Sequence, residues 1–298
     1  MMKACTIWIC GLSLLFLSST AAAFGKLGHH LVCQLAYDQL TPQNQQKLTN
    51  ILASMSKQDK EAIAKFSNTE QLAKPVTFAQ SCTWADAVRG QSAYDPFKTW
   101  HYINIDRNER KITRDSCKKD CITQGIAFHR KQAIKAQNQQ NKLQAIMFLA
   151  HWIGDIHQPL HVSFASDWGG NKIKVTSHDE QCTNMHWLWD QCLLSRQASG
   201  TRKQTTYQQM YQKLTKLLAT QDTTKYQHGD EIVWANESLA ITLRPDTHYC
   251  EMNNGSCQII SDSPLTLTNN YQATFAPIIN QRVLQAAQRL ATELGNIL

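Results

Sequence analysis

The stretch HWIGDIHQPLH, residues 151–161, sets three histidines and one aspartate into eleven positions of a segment that otherwise reads as buried helix. On a helix His151 and Asp155, four residues apart, share one face. Pro159 cannot continue that helix, so the chain should kink or stop and return His161 to the same neighbourhood. Burying imidazoles and a carboxylate among Trp152, Ile153 and Ile156 is costly unless they are paired or hold a metal. The stretch therefore predicts a mainly helical protein with a metal-bearing core. Its remaining histidine, His157, points away from Asp155 at helical spacing and reads as a packed or supporting residue.

The same spacing recurs in NMHWLWD, residues 184–190, where His186 and Asp190 are again four apart. One such pair is ordinarily a satisfied helical contact. Two of them, both set among large apolar residues, point to a shared ligand. Imidazole nitrogen and carboxylate oxygen, without free thiolates, suit zinc at an open catalytic site. Two more segments offer the same donor types: CTWADAVRG (82–90) carries Asp86 with Arg89 one turn later, and KTWHYINID (98–106) carries His101 between Trp100 and Tyr102. In FGKLGHHLVCQLAYDQL (24–40), His29 and His30 are adjacent. Neighbouring helical residues diverge by about 100°, so only one of them can face a common site.

The rest of the 298 residues bounds what these groups can be doing. One lysine, an apolar run from Ile7 to Leu17 and small residues ending at Ala23 read as a secretory leader, with the mature chain starting at Phe24. Lipidation at Cys10 is disfavoured because Cys10 lies inside the apolar run. The expectation is a secreted or periplasmic monomer, without stable membrane association, folded as one domain over residues 24–298. The formal charge of +7, of which one lysine belongs to the leader, favours polyanionic partners only weakly.

Eight cysteines remain outside the leader and read as four disulfides of open connectivity. Cys182 and Cys192 on one continuous helix would stand ~15 Å apart, beyond the ~7 Å limit for a bridge. Either they pair elsewhere or the helix starts after Cys182. Thr41 before Pro42 predicts a helix start, followed by Leu48, Ile51, Leu52 and Met55 at helical spacing. Met210, Leu214, Leu217 and Leu218 predict a second helix, and Ile279, Val283, Ala286, Ala287, Leu290 and Leu294 an amphipathic helix near the end. Gln137 to Gln140 read as a solvated helix face. NKIKVT (171–176) is a candidate arm of a small β-hairpin.

Taken in order, the amino-terminal G-H, WAD with its arginine, WHYIN, HWIGDIHQPLH, GGN and HWLWD resemble the zinc-dependent S1/P1 nuclease family, and WANES at 234–238 extends the likeness. The resemblance implies a mainly α domain of the zinc phospholipase C and P1 nuclease type, with a small β-hairpin, disulfides and three zinc ions. It implies one zinc held by Asp86, His101, His151 and Asp155. A second would share Asp155 and take His29 with the α-amino nitrogen and carbonyl oxygen of Phe24. A third would take His161, His186 and Asp190. Asp86, Arg89 and Asn171 become catalytic candidates, and Tyr102, Asn104 and Asn171 candidates for holding substrate.

The activity so implied is hydrolysis of single-stranded DNA and RNA to 5′-phosphorylated products, with 3′-nucleotidase activity beside it. Arginine and lysine at 107, 110, 111, 114, 118 and 119 form a candidate basic track or a solvated charged loop. Asn104 stands where better-known fungal members carry aspartate, so their base preference does not transfer; Phe24 stands where tryptophan is usual, but the implied metal contacts there are backbone atoms and should survive. The competing readings are a zinc phospholipase C, which would place Glu at position 190, and a non-catalytic zinc-binding protein, which would lack open-site ligands.

Overall fold

The computed structural model describes residues 24–69, 72–176, 181–199, 204–260, 264–268 and 270–298; the expected leader lies outside the described residues. The helices run α1 (Gly25–Asp38), α2 (Pro42–Ala53), α3 (Lys57–Ser67), α4 (Phe78–Ser81), α5 (Trp84–Val88), α6 (Ile122–Lys135) and α7 (Gln139–Ile156). They continue as α8 (Met185–Trp187), α9 (Leu193–Ser195), α10 (Thr206–Thr220), α11 (Glu231–Thr242) and α12 (Tyr271–Ile297). Their starts follow local chemistry: the Thr41 hydroxyl accepts the Asn44 N–H ahead of Pro42, and the Asn138 side chain accepts the Asn141 N–H at the head of α7. The glutamines expected on a solvated face flank that cap, and Gln140 reaches Asp59 at 2.7 Å.

α7 is the centre of the molecule. Every residue from Ala145 to Ile156 is buried, as expected of a helix apolar on all sides. α6 packs along it, α1 lies against α12, and both α1 and α12 also touch α7. α12 buries the six apolar residues its spacing predicts, but Asn280, Arg282, Gln285, Gln288 and Arg289 are buried as well. Arg282 and Arg289 converge on Glu237 of α11 at 2.7 and 2.6 Å. A residue pattern that reads as a solvated face is thus a buried ionic cluster.

Short strands sit at the edges. β1 (Ile103–Ile105) pairs in parallel with β2 (Val162–Phe164), Ile103 opposite Val162. The candidate hairpin arm contributes β3 (Val175–Thr176), which pairs in parallel with β6 (Leu265–Thr266), and Lys174 beside it bridges Asn184 in antiparallel fashion. A tight hairpin forms in β4 (Glu251–Asn253) and β5 (Ser256–Gln258) around an Asn254-Gly255 turn. The disulfides join Cys33 to Cys82, Cys117 to Cys121, Cys182 to Cys192 and Cys250 to Cys257. Cys182 precedes the helical stretch that begins at Met185, which brings its Cα to 6.4 Å from that of Cys192.

Candidate metal centre

α7 delivers His151 and Asp155 from one face, both fully buried. The helix stops at Ile156, Pro159 opens a 3-10 turn over Pro159–His161, and β2 follows directly. Because β2 pairs with β1, the residues just before the two strands lie side by side. His161 Nδ1 donates to the His101 carbonyl at 2.6 Å, leaving Nε2 to face the interior. His151 Nδ1 donates to the Cys82 carbonyl at 2.8 Å, and His186 Nδ1 to the Gly169 carbonyl at 2.7 Å. Backbone acceptors thus select the tautomer that turns Nε2 inward in three of the histidines.

Their inward atoms form three groups. In the first, Asp86, His101 and His151 converge: His101 Nδ1 lies 3.2 Å from His151 Nε2, and both lie 3.6 Å from Asp86 Oδ1. Asp155 joins them, its Oδ2 3.0 Å from His101 and 3.3 Å from His151. Its other oxygen, Oδ1, lies 3.1 Å from His29 Nε2, so one carboxylate spans the first group and a second one. His161, His186 and Asp190 make the third, with Asp190 oxygens 3.5 and 3.4 Å from the two imidazoles.

Of the two adjacent histidines in α1, His29 turns inward and stacks on His151 at 3.8 Å, whereas His30 meets the edge of Tyr207. A Cβ on Gly154 would come within 2.8 Å of His29 Nδ1, so that glycine is what lets the ring lie across α7. Phe24, fully buried at the head of α1, meets His29 edge-on, and Gly25 lies where a Cβ would strike the Asp190 carbonyl at 2.9 Å. The expected mature terminus is therefore packed between the second and third groups.

The donor set fits a cation. Asp155 Oδ1 and His161 Nε2 are buried without a hydrogen bond, a costly condition for a carboxylate oxygen and an imidazole nitrogen. Burial, with the neighbouring Asp86 and Asp190 charges, pushes the Asp155 carboxyl well above the usual carboxylate range. Burial, with the adjacent His151, pushes the His101 imidazole well below its usual value. Neutral imidazoles and carboxylates that need a compensating positive charge are the chemistry of a metal site.

Arg89, Tyr102, Asn104 and Asn171 line a cavity of roughly 330 Å³ over this wall, together with His101, His161 and His186. The sequence of the family model described as S1/P1 Nuclease matches residues 24–298. This chain belongs to the S1/P1 nuclease family. Endonuclease 2 of Arabidopsis thaliana is 27% identical over 99% of this chain and 96% of its own length. Nuclease S1 of Aspergillus oryzae is 29% identical over 62% of this chain and 60% of its own, and Nuclease P1 of Penicillium citrinum 29% over 56% and 57%. The protein is a nuclease, an endonuclease that hydrolyses phosphoric ester bonds in nucleic acid, of a zinc-dependent family.

Within the nuclease, three residues support the site without a signal that sequence reasoning caught. Gln158 donates to Asp190 Oδ1 at 2.5 Å and accepts the Leu160 N–H, tying Asp190 to the turn after α7. Asp167 accepts the Gly170 N–H at 2.9 Å and the Tyr249 hydroxyl at 2.6 Å, fixing the loop whose Gly169 carbonyl orients His186. Trp168 lines the cavity and is 64% exposed. Their sequence cue is only position: each lies beside a motif residue.

The basic segment divides. Arg107 is tied to Asp167 and Ser166, Arg110 to the Gly255 carbonyl, and Arg114 to Asp230. Lys118 and Lys119 stay exposed and line a second cavity of about 210 Å³ that shares Tyr102 and Asn104 with the first. His157 lies outside the three groups. Its Nδ1 donates to the Ile153 carbonyl at 2.7 Å and its Nε2 accepts from Arg289 at 2.7 Å. Burial and the two nearby arginines lower its pKa well below the usual value, so it is a neutral packing histidine, as expected.

Proposed function

We propose that this nuclease is an exported, monomeric enzyme of one domain, residues 24–298, that cleaves single-stranded DNA and RNA to 5′-phosphorylated products and also removes 3′-phosphates from nucleotides. Three zinc ions would be held by Asp86, His101, His151 and Asp155; by Asp155, His29 and the backbone nitrogen and oxygen of Phe24; and by His161, His186 and Asp190. The observation that carries the reading is the convergence of these side chains into three groups, two of them joined through Asp155. Zinc supplies Lewis acidity there, polarising phosphoryl oxygens and making hydroxide accessible near neutral pH.

The chain's own residues do the rest. Arg89 presents a planar donor fork to the scissile phosphate. Asn171 offers amide donors to the same group, and its Nδ2 is held by the Trp168 carbonyl at 2.8 Å before substrate arrives. Tyr102 supplies a ring for a base, and Lys118 and Lys119 extend the positive surface beyond it. Asn104, which accepts from Ser163 Oγ at 3.3 Å, meets a base edge with both donor and acceptor capacity. No described helix is long and apolar enough to cross a membrane.

The test sets four substrates side by side, with zinc, after chelation and after zinc is restored: single-stranded DNA, RNA, a 3′-nucleotide and phosphatidylcholine. The first three should be cleaved, chelation should abolish cleavage and zinc should restore it. Hydrolysis of phosphatidylcholine in preference to nucleic acid would sink the reading, as would full activity in protein shown metal-free by elemental analysis.

A further inference from the structure

The three groups of ligands are not held alike. His161 finds its Nδ1 acceptor at the strand pair, and His151 finds its own beside the Cys33–Cys82 bridge, both within the core. His186 takes its acceptor, the Gly169 carbonyl, from a turn in which Gly169 and Gly170 have φ of 64° and 85°. Two adjacent glycines leave such a turn many alternatives, so its direction has to be fixed from outside. Asp167 does this. Its Oδ1 accepts the Gly170 N–H at 2.9 Å and the Tyr249 hydroxyl at 2.6 Å, and its Oδ2 pairs with Arg107. Asp167 is 2% exposed and Tyr249 fully buried, so water does not compete for these bonds. Arg107 and Tyr249 are in turn tied to the β4–β5 hairpin. The Arg107 carbonyl accepts the Cys257 N–H at 2.9 Å, its guanidinium donates to the Cys257 carbonyl at 3.1 Å, and Tyr249 directly precedes the Cys250–Cys257 bridge. A segment distant in the chain, none of whose side chains belongs to the three groups, is thereby linked to one ligand of one group.

We infer that Asp167, fixed by Arg107 and Tyr249, is a positioning residue for His186, and that this clamp sets how tightly the third group alone holds its ion. The inference rests on the reading of His161, His186 and Asp190 as a zinc site. The imidazole keeps Nε2 aimed at that site only while Nδ1 keeps its acceptor; on a turn free to rotate, the ring would lose both its tautomer and its direction. The two groups joined through Asp155 draw their side chains from α1, α5, α7 and the residues before β1, so release of the clamp should leave them as they are.

The experiment equilibrates wild type, Asp167→Asn, Tyr249→Phe and His186→Ala with a graded series of buffered free zinc and counts bound zinc per chain by elemental analysis. Circular dichroism checks that each is folded. Wild type should bind three ions, and His186→Ala should lose one of them. Asp167→Asn keeps the shape but sets an amide against the Arg107 fork; one ion should bind about 10- to 100-fold more weakly, the scale of a lost outer partner, with the other two unchanged. Tyr249→Phe leaves the Arg107 pair intact and should weaken the same ion about fivefold, the scale of one hydrogen bond. Free zinc high enough to fill every site should return hydrolysis by Asp167→Asn to the wild-type rate, which a collapsed loop would not allow. Wild-type affinity for all three ions in both clamp variants overturns the inference, and so does an equal weakening of all three. Should Asp167→Asn not fold, Tyr249→Phe decides alone. Wild type that never binds more than two ions, or His186→Ala that loses none, overturns instead the reading of the third group as a zinc site, and the inference with it.

Discussion

The ligand wall and the rim above it are built by opposite means. In the wall, His29, His101, His151 and Asp155 are at most 2% exposed and are carried on helices or at the foot of a strand pair. The rim places Arg89, Tyr102, Trp168 and Asn171 on a short helix end, a strand foot and a positive-φ loop, with side chains reaching into a cavity. A metal demands fixed distances, which regular, buried structure provides. A polynucleotide presents variable bases on a repeating phosphate, and an exposed rim can meet that variety while the wall stays constant.

The contrast breaks most sharply at Asp155. Asp155→Asn weakens two groups at once, and activity should fall by about three orders of magnitude or more; Asp190→Asn weakens one and should cost less. Elemental analysis should count more zinc lost in the first. Equal losses with equal zinc would remove the bridging role.

A single extra residue before Phe24 tests the wall from its other end. An amide nitrogen has no basic lone pair, so the extended protein should bind about one zinc fewer and lose most activity relative to protein that starts at Phe24. Equal zinc and equal cleavage would return His29 to being an ordinary helix histidine.

Arg89→Ala probes the rim alone. Turnover should drop about a hundredfold while the zinc content stays that of wild type, a separation no wall substitution should produce. Loss of zinc in this variant would merge rim and wall into one unit.

The smallest expected effect lies behind the wall. His129 packs on Phe148 and receives the Trp152 Nε1–H, and burial lowers its pKa to about 4. The unfolded chain takes up the proton first, so its contribution is full above about pH 6.5 and is lost as pH falls toward 4, on the order of 3 kcal/mol in all. Urea unfolding of wild type and His129→Gln between pH 7 and 5 should show a shallower pH slope in the variant. Identical slopes would show that this histidine does not contribute to acid lability.

How far the sequence could be read follows the same division. Spacing within one helix made His151 and Asp155 legible, and the 100° argument left His29 or His30, a choice that only packing against His151 makes. The pairing of His101 with His161 depends on two strands 59 residues apart in the chain, a non-local event that the motifs signal but do not dictate. The candidate arm at 171–176 does pair nearby, Val175 N–H to the Thr183 carbonyl and Met185 N–H to the Ile173 carbonyl, but its other edge pairs with Leu265, a distant partner that nothing local announces. Charge patterns misled where they were buried. Arg107 reads as part of a basic track, yet it clamps Asp167, and the amphipathic spacing of α12 does not announce that Arg282 and Arg289 are buried against Glu237. Trp168 was illegible because nothing local tells an exposed tryptophan from a buried one.

The Cys33–Cys82 bridge has a consequence for how tightly a cation could be held. Cys33 lies one helical turn after His29, and Cys82, four residues before Asp86, offers its carbonyl to His151. Closing this loop, with its sequence separation of 49, restricts the unfolded chain by an entropy worth about 4 kcal/mol at 25 °C. The segments that carry His29 and Asp86 are therefore confined near one another by a covalent bond before any ion arrives, and a hydrogen bond from His151 to the Cys82 carbonyl docks α7 on them. An incoming ion then has less chain to order, so more of its coordination energy is retained as affinity. In this nuclease a sulfur–sulfur bond, itself no ligand, helps make the frame one that an ion fills and does not have to gather.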